Sequence, residues 1–219
     1  MATSAAEPLP AGTLSAGVPP EGAAATLILV HRRGASAGSM LPLAAELGVE
    51  RLAVLAPQAK GSTWYPQSFL APLEANEPSL GAALQQLESV VRHLLARGAP
   101  AERIALLGFS QGACLTCEFT ARHPRRYGAV IAFTGGLIGP PGAPRDYPGT
   151  LAGTAVFLGS GDPDPHVPFA RVQETERVLA AMGAAVDLRR YPGMPHTINR
   201  DELDTARALL RRVAAAERP

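Results

Sequence analysis

Five short, mainly apolar runs recur along the chain, residues Thr26–His31, Arg51–Pro57, Ile104–Leu107, Tyr127–Phe133 and Thr154–Leu158, and a sixth, mixed run at Val186–Tyr191 reads as the last strand. Between and after them, apolar residues return every three or four positions. Met40, Leu41, Ala44 and Leu47 form one such set, Leu80, Leu84, Leu87, Val91 and Leu94 a second, Val172, Thr175, Leu179 and Met182 a third, and Leu203, Ala206, Leu210 and Val213 a fourth. Ser110–Arg122 also reads as a helix, stopped near Pro124. The first periodicity predicts strands and the second predicts amphipathic helices. Clean in–out alternation is missing from the runs, as it is for strands buried on both faces. The expected architecture is therefore α/β, a mainly parallel sheet with helices on both sides.

Two stretches break the rhythm. Gln58–Glu77 is polar and bears prolines, and Gly135–Gly153 is rich in Gly and Pro. Neither has the helical pattern of a separate lid domain, and loops of this length in a compact domain commonly carry function. Residues 1–22 are dominated by Ala, Pro and Gly and read as a loose N-terminal arm, with 23–219 as a single domain.

Composition narrows the function classes. With 219 residues, 47% of them hydrophobic, the chain can bury a sizeable core. A formal charge of +1 gives no footprint for nucleic acid. No apolar run approaches the roughly 18–20 residues of a membrane span. The first arginine is Arg32, so the start lacks the positive region of a secretory signal, and a cytoplasmic location is expected. Cys114 and Cys117 stand three apart on one helix, a spacing that reads as small buried packing residues rather than a redox pair, and zinc-ligand spacing is missing.

Candidate chemistry centres on Gly108-Phe-Ser-Gln-Gly112. It follows a strand and opens a helix, the context of a nucleophile elbow that lifts a serine hydroxyl to the rim of a sheet. Such a serine needs a base, and the base needs an orienting acid, in chain order Ser, acid, His. Of the five histidines, His31, His93 and His123 precede any acid that could follow the elbow in that order. His31 ends the first strand and reads as a structural ring bonded to nearby backbone. His166 lies two residues from Asp164, too near to face it from another loop. His196 follows the last strand, where open α/β sheets put their chemistry. The acid must follow strand Thr154–Leu158, where both Asp162 and Asp164 stand; the frame Gly-x-x-Asp-x-x-Val-Pro favours Asp164.

These residues together resemble the phospholipase/carboxylesterase family of α/β-hydrolases. The likeness runs from about Thr26 to Leu210 and rests on Gly-Phe-Ser-Gln-Gly at 108–112, Asp-Pro-His-Val-Pro at 164–168 and Gly-Met-Pro-His at 193–196. Pro57-Gln-Ala-Lys-Gly-Ser-Thr-Trp-Tyr-Pro66 also looks like the pocket loop of a bacterial branch. The resemblance implies an α/β-hydrolase fold without a lid, and a serine esterase acting on small-molecule esters or thioesters without cofactor or metal. Ser110 would be the nucleophile, Asp164 the acid and His196 the base, with the N–H groups of Gln111 and Arg33 forming the oxyanion hole. Many members are homodimers. Lysophospholipase and acyl-protein thioesterase are alternative activities, and a non-catalytic binding protein on the same scaffold is a third. Trp64 and Tyr65 are candidate pocket walls, or else packing residues.

The chain departs from the family at His31-Arg-Arg-Gly34, where His-Gly-x-Gly is usual. Arg32 takes the place of a glycine, which implies backbone strain or a shifted oxyanion loop if that glycine has positive φ. Side chains of Arg32 and Arg33 facing the mouth would attract an acidic substrate; the alternative, and the commoner case, is that they are solvated surface arginines. Pro195 is a smaller departure, standing where glycine is common.

Overall fold

The structure is a computed structural model that describes residues 8–216. Seven strands form one sheet: β1 Thr13–Gly17, β2 Ala25–Val30, β3 Leu52–Pro57, β4 Ile104–Phe109, β5 Ala129–Phe133, β6 Ala155–Asp162 and β7 Ala185–Pro192. Five α-helices accompany them, four between strands and the last after β7: α1 Ala37–Leu47, α2 Ser79–Ala96, α3 Gln111–Arg122, α4 Phe169–Ala181 and α5 Arg200–Ala215. The strand order is β1-β3-β2-β4-β5-β6-β7, all parallel except β1, which pairs antiparallel with β3.

The unbroken apolar runs are explained by how the strands divide their side chains. Ile28, Val30, Leu106, Val130, Ala132, Val156 and Leu158 point to the side covered by α2, α3 and α4. Their neighbours Leu27, Leu29, Ala105, Leu107, Ala129, Ile131 and Phe157 point to the side covered by α1 and α5. Period-two geometry is intact, but both faces are core, so both sets are apolar. Leu27, Ile28, Leu29 and Val30 are all fully buried, and each contributes about 1.5–3 kcal/mol relative to an exposed position.

The helix ends follow local chemistry. Ser36 and Ser39 form a reciprocal capping box at the start of α1, and Gly48 ends it in the left-handed conformation. Asn199 and Glu202 form the equivalent box at the start of α5. After β2 the chain turns to β3 on one side, and later to β4 on the other. This reversal opens a crevice beyond the carboxyl ends of β2 and β4, the place where such sheets bind ligands.

One expectation is corrected. The reading of residues 1–22 as a loose arm misses β1, whose Thr13–Gly17 pair residue by residue with Pro57–Ala53. Residues 1–7 of that arm lie outside the described residues. β1 escapes pattern reading because backbone pairing, rather than an apolar face, holds it: its burial is only partial, and Leu14 is 47% exposed. At its end Gly17 has φ +72°, and a β-carbon there would stand 2.1 Å from the Leu52 carbonyl oxygen. Gly17→Ala is expected to lift the end of β1 from β3 and to cost roughly 1–3 kcal/mol. Chemical denaturation measures this, and unchanged stability would mean that β1 contributes nothing to the fold.

Candidate active site

β4 runs into α3 through a turn that glycine alone permits. A β-carbon on Gly108 would come within 2.3 Å of the Gly112 carbonyl oxygen, and one on Gly112 within 2.1 Å of the Val30 carbonyl oxygen. The first turn of α3 is thereby pressed against the end of β2. Ser110 sits between these glycines at φ 56°, ψ −119°, a conformation unfavourable for any side chain. Its neighbours hold it there: the Ser110 N–H donates to the Phe133 carbonyl at 3.0 Å, and the Ser110 carbonyl accepts from the Cys114 N–H at 3.0 Å. The hydroxyl stands at the N-terminus of α3.

Three side chains from three strand ends meet here. Ser110 Oγ lies 2.8 Å from His196 Nε2, and His196 Nδ1 lies 2.8 Å from Asp164 Oδ2. The other carboxylate oxygen of Asp164 accepts from the N–H groups of His166 and Val167, each at 2.8 Å. The Asp164 side chain is wholly enclosed. Burial works to raise its pKa, but the Val167 and His166 N–H groups and the His196 imidazole outweigh it and hold the carboxyl below its ordinary value. Asp162, the other acid left open by the sequence, pairs instead with Arg190 at 2.5 Å. Phe109 and His166 flank the His196 ring at centroid distances of 5.3 and 4.8 Å.

A cleft of about 450 Å3 opens above Ser110, lined by Arg32, Arg33, Tyr65–Phe69, Gln111, Cys114, His166, Val167 and His196. The strain anticipated at Arg32 does not arise: among the described residues, the non-glycines with positive φ are Arg51, Ser62, Ser110, Thr134 and Ala152. The left-handed residue of this loop is Gly34, at φ 72°. Neither the Arg33 N–H nor the Gln111 N–H donates to another described residue. Gln111 takes the first helical position, where an N–H has no partner within the helix.

Trp64 and Tyr65 divide between the two readings open to them. Both are buried, at 2% and 1% exposure. Tyr65 reaches the cleft and Trp64 does not. Trp64 is a packing residue whose indole N–H donates to the His31 carbonyl at 2.8 Å. His31 is structural as expected, accepting the Ala59 N–H at Nε2 and meeting the Arg32 carbonyl at Nδ1.

Two side-chain roles escaped sequence reasoning. Gln111 accepts the Trp64 N–H at 3.1 Å and donates to the Tyr65 carbonyl at 2.8 Å, so the residue after the serine clasps the pocket loop. Arg33 donates to the carbonyls of Tyr65, Pro66 and Gln67 at 2.9, 2.9 and 2.7 Å. Motif position pointed only to the backbone of these two residues. Cys114 and Cys117 are free and buried, and burial pushes the Cys114 thiol up to about 12, far from a reactive thiolate.

A strand–elbow–helix with serine, acid and histidine after β4, β6 and β7 in that order is the arrangement of the α/β-hydrolase class. The comparisons narrow this. The phospholipase/carboxylesterase family model matches residues 18–214, and the chain belongs to that family. It is 44% identical to the phospholipase/carboxylesterase of Dyadobacter fermentans, covering 94% of this chain and 99% of that one, with a TM-score of 0.88. Acyl-protein thioesterase 1 of Eremothecium gossypii is 27% identical over 74% of this chain and 69% of its own. A probable carboxylesterase SOBER1-like protein of Arabidopsis thaliana is 26% identical over 60% of this chain, which spans about half (52%) of that relative. The protein is a carboxylic-ester hydrolase of α/β-hydrolase fold. No helix among the described residues is long and apolar enough to cross a membrane.

Behind the His196 loop lies a buried carboxylate that the pattern reading did not single out. Glu202 accepts the Asn199 N–H at 2.8 Å through one oxygen. Its other oxygen is buried without a partner, so close to Gly159 that a β-carbon there would stand 2.3 Å away. Burial pushes its pKa up to about 7. An acid raised in the folded state contributes stability below its unfolded value of about 4.3 and loses it as pH rises through about 7. Glu202→Gln should therefore gain stability relative to the parent between pH 5 and pH 8. Denaturant midpoints at both pH values test this; a difference independent of pH would refute the assignment.

Proposed function

We propose that Ser110, His196 and Asp164 hydrolyse small carboxylic esters through an acyl-enzyme. The observation that carries this reading is the unbroken line from Ser110 Oγ through His196 to Asp164, with both contacts at 2.8 Å. A serine hydroxyl is a weak nucleophile at neutral pH. As Oγ attacks the carbonyl carbon, His196 Nε2 takes its proton. Asp164 keeps the Nδ1 proton in place and stabilises the imidazolium that forms. Asp164 stays ionised because its backbone N–H partners and His196 hold its pKa low.

The oxyanion meets the N–H groups of Gln111 and Arg33, two donors left without other described partners. Preorganised donors of this kind are worth about 10²–10³ each in turnover. His196 then gives its proton to the leaving alcohol. Water enters, His196 takes a proton from it, and the second attack releases the acid and restores Ser110.

Short substrates suit the cleft. Tyr65, Pro66, Phe69 and Val167 supply its apolar surface, among Arg32, Arg33, Gln67, Ser68 and His166, a lining too polar to follow a long alkyl chain. Relatives named acyl-protein thioesterase support a second reading, in which the same machinery cleaves acyl thioesters. A non-catalytic scaffold loses its one support, since Arg32 carries no positive φ.

Ser110→Ala should lower kcat/KM on 4-nitrophenyl butyrate by roughly 10⁴–10⁶-fold and abolish fluorophosphonate labelling, with the thermal midpoint retained. Persistent turnover would end the proposal. A chain-length series from acetate to palmitate, run beside lysophospholipid and acyl-thioester substrates, should peak at short esters; a maximum at long acyl thioesters would favour the second reading.

A further inference from the structure

The mechanism leaves one property of the cleft unused, its charge. Arg32, Arg33, His166 and His196 line it, and the lining includes no Asp or Glu. The Asp164 carboxylate is enclosed behind His196. Arg33 is held by three carbonyls of the pocket loop, and its guanidinium lies 5.8 Å from the Tyr65 ring centre. All these partners are neutral. They orient the cation without compensating its charge.

Several arginines elsewhere in the fold face carboxylates, among them Arg122 with Glu118, Arg125 with Glu88, and Arg145 and Arg171 with Glu174, while Arg51 and Arg103 bond to carbonyls away from this cleft. Among the described residues no carboxylate pairs with Arg32 or Arg33. Arg32 is exposed beside the cleft, and the bond it makes is a long one of 3.4 Å to the Arg33 carbonyl. The rim thus joins one guanidinium held by three carbonyls to a second, exposed one that makes a single long bond.

We propose that Arg32 and Arg33 form an anion subsite, and that the enzyme prefers esters carrying a carboxylate near the scissile bond, such as half-esters of short dicarboxylic acids. This inference rests on the Ser110–His196–Asp164 reading and specifies its substrate class. The Arg32 guanidinium, whose fork is not taken up by the pocket loop, matches the two oxygens of a carboxylate, and Arg33 adds a fixed positive charge beside it. Holding Arg33 in place before substrate arrives removes most of the ordering cost of using it. Because the Arg33 backbone N–H is also the proposed oxyanion donor, a carboxylate on that side chain would be anchored close to the reacting carbonyl. A cleft of one charge sign also gathers counter-charged substrate, an effect that salt weakens.

The test compares kcat/KM for charged and neutral partners at low ionic strength: monomethyl glutarate against methyl valerate by pH-stat, and 4-acetoxybenzoate against phenyl acetate. The first pair puts the carboxylate in the acyl part, the second in the alcohol part. At least one charged-to-neutral ratio should exceed unity by about tenfold and fall as NaCl is raised. Arg32→Gln should reduce that ratio about three- to tenfold, Arg32→Lys should keep most of it, and Arg32→Glu should lower it furthest. Taking the ratio cancels any general loss of activity in a variant.

Ratios at or below one in both pairs, or a ratio that Arg32→Glu leaves unchanged, would overturn the anion subsite and leave the esterase reading standing. Failure to turn over all four esters, together with absent fluorophosphonate labelling, would overturn the esterase reading and this inference with it.

Discussion

The approach of α3 to the end of β2 is the constraint from which the site follows. Gly112 packs so closely on the carbonyls of Val30 and His31 that no β-carbon fits. Contact at this range fixes where the helix begins, and that in turn confines Ser110 to a backbone conformation it would not adopt alone. Strain of this sort costs about 1–3 kcal/mol and persists only where the surroundings over-determine it. Here they do, through the Phe133 carbonyl, the Cys114 N–H and two glycines that cannot be replaced without collision. The same approach brings the N–H of Gln111 beside the loop that follows β2, so hydroxyl and donors share one origin.

From that point the structure is braced outward. Gln111 clasps the Trp64–Tyr65 backbone, and Arg33 takes the next carbonyls of the same loop. Asn76, wholly buried, closes this loop on itself by accepting the Gln67 N–H and donating to the Ser68 carbonyl. A second loop supports the first, its Gly139 N–H donating to the Phe69 carbonyl at 2.7 Å. That second loop is held by charges: Glu118 accepts the Ile138 N–H, Arg145 donates to the Ile138 carbonyl and Arg171 to the Gly139 carbonyl. The first long irregular stretch therefore forms a wall of the cleft and the second braces it from behind, both fixed by polar groups whose removal would leave unsatisfied backbone at about 1–3 kcal/mol each.

What the sequence disclosed and what it concealed separate along physical lines. All six runs became strands and shifted by only a few residues; five of them lie in the sheet interior, where burial on both faces leaves a signal that depends on no partner, while the edge strand β7 is only half-buried. Ser110, Asp164 and His196 were legible because each follows a strand in a motif whose spacing is set by local backbone. β1 was hidden, since an edge strand held by backbone pairing needs no apolar pattern. The clasps made by Gln111 and Arg33 were hidden too: each joins segments more than thirty residues apart through backbone carbonyls or N–H groups, and backbone groups have no letter in a sequence. Glu202 passed unnoticed because a Glu three residues after Asn199 reads as an ordinary capping box, and only the fold reveals that its second oxygen is shut in against Gly159.

The departure at His31-Arg-Arg-Gly34 is accommodated without positive φ at either arginine. In the proposed mechanism the Arg33 N–H is an oxyanion donor, a role that places no condition on the side chain carried by the same residue. In this chain the left-handed turn is supplied by Gly34, so Arg32 and Arg33 keep ordinary negative φ. The Arg33 side chain is then free to leave the turn and hold the opposite wall. The tether comes from Arg33, which also carries one of the two positive charges, so the hold on the Tyr65–Gln67 segment is tied to part of the charge at the mouth. Any change that removes the guanidinium removes both, whereas a change at Arg32, which makes no contact with that segment among its described bonds, addresses the charge alone.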